Sequence, residues 1–145
     1  MKNSRGFTLL EVLLVISLIS FIGALGAPYF LSFQTKSDLD LTALTVAHNL
    51  RRAQLLSQGV DGDSPWGVYV QNGSITLFRG LTYATRNQTY DQIIEIAPTL
   101  SVSGLQEVVF SKLHGEPTST GTITLDSTIN QSKSLTINSK GMVEY

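Results

Sequence analysis

The chain has 145 residues, 14% of them charged, with ten Lys+Arg against eleven Asp+Glu. That length fits one domain, or one domain with an appendage, and is enough to bury a core. The near-zero charge argues against a general attraction to nucleic acid or anionic lipid while leaving a local patch open. The absence of cysteine excludes disulfides, thiolate metal sites and a Cys nucleophile.

Apolar residues are concentrated at the start. From Phe7 to Leu31 the chain is dominated by Leu, Ile, Val and Phe, and after Glu11 no Asp, Glu, Lys or Arg appears until Lys36. A bilayer core of about 30 Å needs roughly 20 apolar helical residues, so residues 7–31 predict a membrane-spanning helix. The flank Met1 to Gly6 carries Lys2 and Arg5 and no acid. The positive-inside tendency keeps it cytoplasmic and sends the rest of the chain outward. A plain anchor fits, as does a secretory signal cleaved near Ala24-Leu25-Gly26-Ala27. Neither has a use for Glu11, a carboxylate that costs free energy inside a long apolar run.

The context of Glu11 points further. Gly6-Phe7-Thr8-Leu9-Leu10-Glu11, after a short basic leader and before an uncharged run, resembles the prepilin signature of type IV pilins and type II secretion pseudopilins. The resemblance implies cleavage by a prepilin peptidase between Gly6 and Phe7, N-methylation of Phe7, and a register role for Glu11 during filament assembly. Cleavage would create an ammonium at Phe7, and a carboxylate in low dielectric is favourable when it faces a cation. In the family that cation is the amine of a neighbouring subunit. Pro28 falls where many members bend the helix; Gly23, Gly26 and Pro28 are otherwise ordinary content of a membrane helix.

Past the apolar run, Leu39, Ala43, Val46, Ala47, Leu50 and Ala53 repeat on one helical face. Arg51 and Arg52 suit a helix C-terminal end, and Gly59 with Gly62 supplies the stop. A helix is therefore expected from about Phe7 to Ser57. From Pro65 the period becomes two. Trp66–Val70 and Ile75–Arg79 flank Asn72-Gly73, a strong hairpin signal. Further strands are expected at Gln92–Ala97, Glu107–Ser111, Thr122–Thr128, Ser134–Asn138 and Met142–Tyr145, the last two paired around Ser139-Lys140-Gly141. Residues 80–92 give no usable pattern. Phe110, Gly115, Gly121-Thr122-Ile123-Thr124-Leu125, Leu135-Thr136-Ile137 and Gly141 resemble the C-terminal half of H-type minor pseudopilins and FimT-like minor pilins.

Enzyme chemistry has little support. His48 and His114 stand apart, without metal-ligand spacing. No phosphate loop, nucleophile elbow or carboxylate pair is visible. Asp61 and Asp63 in Asp61-Gly62-Asp63-Ser64 are the candidates for Ca²⁺, but the stretch lacks the later Glu of an EF-hand loop, and an acidic turn is the favoured reading. Trp66, Tyr83, Arg86 and Tyr90 lie near loops and suit packing or subunit contacts. Arg79, Arg86 and Lys112 are too sparse for a basic stripe, which argues against a nucleic-acid partner without closing the question.

The expected fold class is α+β: a long N-terminal helix packed on an antiparallel sheet or small β-sandwich, pilin-like. The expected division is a leader at 1–6, a transmembrane and assembly half-helix at 7–31, an amphipathic half-helix at 32–58 and a β-rich domain at 59–145. The expected function is a minor pilin or pseudopilin, not an enzyme and without cofactor. Its expected partners are other subunits through the helix, the prepilin peptidase and an inner-membrane assembly platform, first as a single-pass protein of a bacterial inner membrane, then in a periplasmic or extracellular filament. The alternative is an anchored or secreted β-domain that binds a ligand and never polymerises.

Overall fold

The computed structural model describes residues 6–145, apart from the side chains of residues 25–29 and 31. It is an α+β structure in two compact units, a first that ends at Gln34 and a second of Thr35–Tyr145. Helix α1 is assigned over Leu9–Gln58. Eight strands follow: β1 (Trp66–Gln71), β2 (Ser74–Arg79), β3 (Gln92–Glu95), β4 (Leu100–Gly104), β5 (Glu107–Phe110), β6 (Gly121–Ser127), β7 (Ser132–Ile137) and β8 (Val143–Glu144). They form two four-stranded antiparallel sheets, ordered β3-β2-β1-β5 and β4-β6-β7-β8.

The helical stripe read from the sequence is the core face of α1 in the second unit. Leu39, Ala43, Val46, Ala47, Leu50 and Ala53 are all buried, five of them at 0% exposure. They share one cluster with Trp66, Val68 and Val70 of β1, Ile75 and Leu77 of β2, Val102 of β4, Val108 and Phe110 of β5, Ile123 and Leu125 of β6 and Leu135 and Ile137 of β7. Both sheets therefore give one face to the same helix, the usual way for an α+β domain to bury its apolar surface. Strand β6 shows the reason: Ile123 and Leu125 are buried while Thr122, Thr124 and Asp126 are only half-buried, the period-two alternation of a one-sided strand.

The Asn72-Gly73 hairpin forms with Gln71 opposite Ser74, and Gly73 takes the left-handed φ of +88°. The Asn72 side chain is put to another use: its Oδ1 accepts from the Val102 N–H of β4 at 2.7 Å, tying the tip of the first sheet to the second. The closing β7–β8 pair forms as expected, with Ile137 opposite Val143. Strand β4 is absent from the sequence expectations. Its residues Leu100-Ser101-Val102-Ser103 do alternate, with Leu100 and Val102 buried, so the short signal was present and passed over. The third strand ends at Glu95, two residues early: the Ile96 N–H still donates to Gly73 O at 3.1 Å in the same register, but Gly73 is the left-handed turn residue and β2 begins only at Ser74.

The unread stretch, up to the start of β3 at Gln92, lays Tyr83 across the other face of the first sheet. Tyr83 stacks on Tyr69 of β1 with ring centroids 4.0 Å apart and meets Phe78 of β2 edge-on at 5.7 Å. Phe78 is fully buried on that face. Gly67 makes room for it: a Cβ there would lie 2.7 Å from Phe78 Cζ and 2.9 Å from Val108 O.

Candidate functional site

Helix α1 begins at Leu9, and Thr8 caps it: Thr8 Oγ1 accepts from the Glu11 N–H at 3.3 Å. The cap fixes where the helix starts and places Glu11 in its first turn, where a carboxylate meets the positive end of the helix dipole. Thr8 and Glu11 have the T-x-x-E spacing of a capping box, a signal that sequence reading could have used for Thr8. Gly6 and Phe7 stand just ahead of the helix, non-helical and exposed, with Phe7 81% exposed. The Gly6–Phe7 bond thus lies ahead of the helix, outside any secondary-structure element among the described residues. Among the described residues Glu11 makes no ion pair.

From Leu9 to Ile22 the large apolar side chains are exposed around the whole helix, from 46% at Val12 to 80% at Leu9. A helix apolar on all sides needs an apolar surrounding, which the described residues do not supply there. The two hydroxyls within this stretch are satisfied inside the helix: Ser17 Oγ donates to Leu14 O and Ser20 Oγ to Ile16 O, both at 2.8 Å. Among the described residues no helix is long and apolar enough to cross a membrane. The span expected at 7–31 runs across residues 25–29 and 31, whose side chains lie outside the described residues. Position 28 falls within α1, but the Pro28 side chain, and with it the expected bend, lies outside the described residues, as do Met1–Arg5 of the leader.

In the second unit the named residues are held by packing. Arg86 lies over the Tyr83 ring at 3.7 Å and pairs with Asp91 at 2.8 Å. Arg79 lies over Tyr90 at 4.6 Å and donates to Gly62 O. Lys112 pairs with Asp63 at 2.5 Å. The three cations that could have formed a basic patch are each committed to a different local partner. Trp66 is 4% exposed, and its indole N–H donates to Asp61 O at 3.0 Å.

Asp61 and Asp63 sit in a short 3₁₀ turn, Asp61–Asp63, after the left-handed Val60. Lys112 takes the position facing Asp63, donating to both its carboxylate (2.5 Å) and its backbone oxygen (3.1 Å). This hydrogen bond and charge hold the exposed Asp63 carboxyl below the usual aspartate range. A depressed folded-state value gives a stabilising contribution present above the unfolded value and lost as pH falls through the folded one. Carbon-detected NMR should show Asp63 titrating below an ordinary aspartate, and Lys112→Met should bring it back up; an unchanged midpoint in that variant would refute the pairing. His48 and His114 are both exposed and far apart in sequence. No cluster of three His, Cys, Asp or Glu side chains able to hold a metal occurs among the described residues.

The end of α1 carries the polar anchors that sequence reading missed. The fully buried Ser57 hydroxyl accepts from Trp66 N at 2.8 Å, while Ser57 O accepts from Leu113 N at 3.1 Å. Gln54 Nε2 donates to Gly115 O (2.9 Å) and Lys140 O (3.0 Å), and Gln58 Nε2 donates to His114 O (3.3 Å). Serine and glutamine at a helix end read as solvent-facing, so nothing in their types announces these contacts.

Residues 1–27 match the family model for the prokaryotic N-terminal methylation motif, a type IV pilin-like signature of a processed subunit. No curated protein and no solved structure matches the chain.

Proposed function

We propose that the chain is a structural subunit of a type IV pilus-like filament or a type II secretion pseudopilus. The carrying observation is the methylation motif over residues 1–27, supported by a capped helix start that follows an exposed Gly6–Phe7 bond and places Glu11 in the first turn. In this reading residues 1–6 are a leader removed by the prepilin peptidase. Phe7 becomes the methylated N-terminus, and residues 7–31 hold the precursor in the bacterial inner membrane before passing into the filament. Residues 32–58 and the β-rich body at 59–145 form the part outside the membrane. The Glu11 carboxylate faces the Phe7 ammonium of a neighbouring subunit, Pro28 bends the helix, and an assembly platform inserts the chain. The H-type or FimT-like minor-subunit assignment is part of this proposal and rests on the C-terminal residues alone.

Intact-mass and N-terminal peptide spectrometry of the mature protein tests the reading. A methylated Phe7 start is expected. A start near Ala27 would instead indicate a secreted β-domain, and a retained Met1 a plain anchor; either would overturn the filament reading.

A further inference from the structure

Two grooves flank α1 within the second unit. One, on the β3 side, is lined by Asp38, Leu41 and Thr45 of α1 with Ile94 and Glu95. The other, beside β8, is lined by Arg51 and Leu55 of α1 with Gly141, Met142 and Val143. The first carries two carboxylates, Asp38 and Glu95, and the second one guanidinium, Arg51; among the described residues none of the three makes an ion pair. Each groove also has an exposed apolar lip: Leu41 is 59% exposed in the first, Leu55 67% and Met142 59% in the second.

We propose that these grooves are the two halves of one contact between successive copies of this chain, with Arg51 and the Leu55–Met142 lip of one copy seated in the Asp38–Glu95 groove of the next. The occupant follows from the complementarity. A single chain presents an unpaired acid pair beside one apolar lip and an unpaired cation beside another, so a second copy satisfies both. Elsewhere in the unit Lys133 pairs with Asp40 at 2.7 Å and Lys140 with Glu116 at 3.2 Å, while exposed Lys36, Arg52, Asp61 and Glu144 line neither groove. Because the halves differ, the contact is heterologous and leaves a free half on each copy. Leu41 and Leu55 are fourteen residues apart on one helix, about 21 Å at 1.5 Å per residue. A heterologous contact with an axial offset repeats as an open helical array instead of closing into a dimer.

This inference rests on the filament reading and is tested so that the two fail separately. The chain has no cysteine, so engineered pairs report cleanly. Thr45→Cys and Met142→Cys chains carrying different tags are co-expressed in the native host and treated with a short thiol cross-linker. Mixed cross-links are expected, with like-with-like products at least tenfold fewer. Arg51→Glu and Glu95→Arg should each lower incorporation into filaments several-fold with unchanged thermal melts, and the two together in one chain should restore it. Cross-links of like with like, cross-links only to a different polypeptide, or a double variant no better than the singles would overturn the contact. Charge variants that incorporate as the wild type does, in filaments whose subunits start at methylated Phe7, would overturn the contact and leave the filament reading standing. A mature chain that starts elsewhere and forms no filament would overturn that reading and this contact with it.

Discussion

Glu11→Ala should yield a chain that folds, inserts and is cleaved normally but enters filaments at roughly one-hundredth of the wild-type level or less. The expectation follows from the cost of stranding a charge. In the proposed filament, with Phe7 as the N-terminus, its ammonium would lie in the same apolar surrounding as Glu11 and would have that carboxylate, on a neighbour, as its partner. Removing one member of a buried ion pair costs about 3–5 kcal/mol, and about 1.4 kcal/mol is a factor of ten in an equilibrium. The fold is spared because Glu11 makes no ion pair among the described residues and belongs to the first unit, apart from the β core. The Thr8 hydroxyl caps the Glu11 backbone N–H, which alanine keeps, so the helix start also survives. Quantitative immunoblotting of sheared filaments against total membranes measures the effect. Glu11→Gln, which keeps the shape and loses the charge, should match Glu11→Ala; equal assembly of all three chains would refute the register role.

Leu50→Ala should destabilise the second unit by about 2–5 kcal/mol, the range for truncating a fully buried leucine whose surroundings collapse only in part. Leu50 is 0% exposed in the cluster that joins α1 to both sheets. Leu55→Ala, five residues on and 67% exposed, should stay within about 0.5 kcal/mol of the wild type. Urea unfolding of the full chain in detergent, followed by near-ultraviolet circular dichroism, separates the two. Similar losses for both would mean that the two faces of α1 are misassigned.

The periodic parts of the fold were legible because periodicity is what burial on one face imposes. The six-residue helical stripe, the Asn72-Gly73 hairpin and the Ile123/Leu125 alternation each carry their signal within one short stretch of chain. The stretch after β2 did not, because Tyr83 acquires its meaning from Tyr69 and Phe78, which two different strands bring to it. Likewise Gly67 in a strand looks like a weak point until Phe78 is laid across it. Around Gly6, Phe7 and Glu11 the residue order stood out because Glu11 is the one charged side chain between Arg5 and Lys36. What was missed is local hydrogen bonding: the Thr8 cap, the Ser17 and Ser20 back-bonds, and the amide and hydroxyl anchors at the end of α1. Lys112 was named for its charge, and Asp63 for its oxygen ligands; that each satisfies the other is a fact of three dimensions.

Those anchors bear on how the protein carries load. Gln54, Ser57 and Gln58 fasten the last turn of α1 to three places at once: the start of β1, the loop at 113–115 and the turn at Lys140. Tension along the helix is therefore shared among several hydrogen bonds at separate points and a row of buried side chains. Anchors at separate points that are loaded together must give way together, which in the proposed filament suits a chain pulled by its helix.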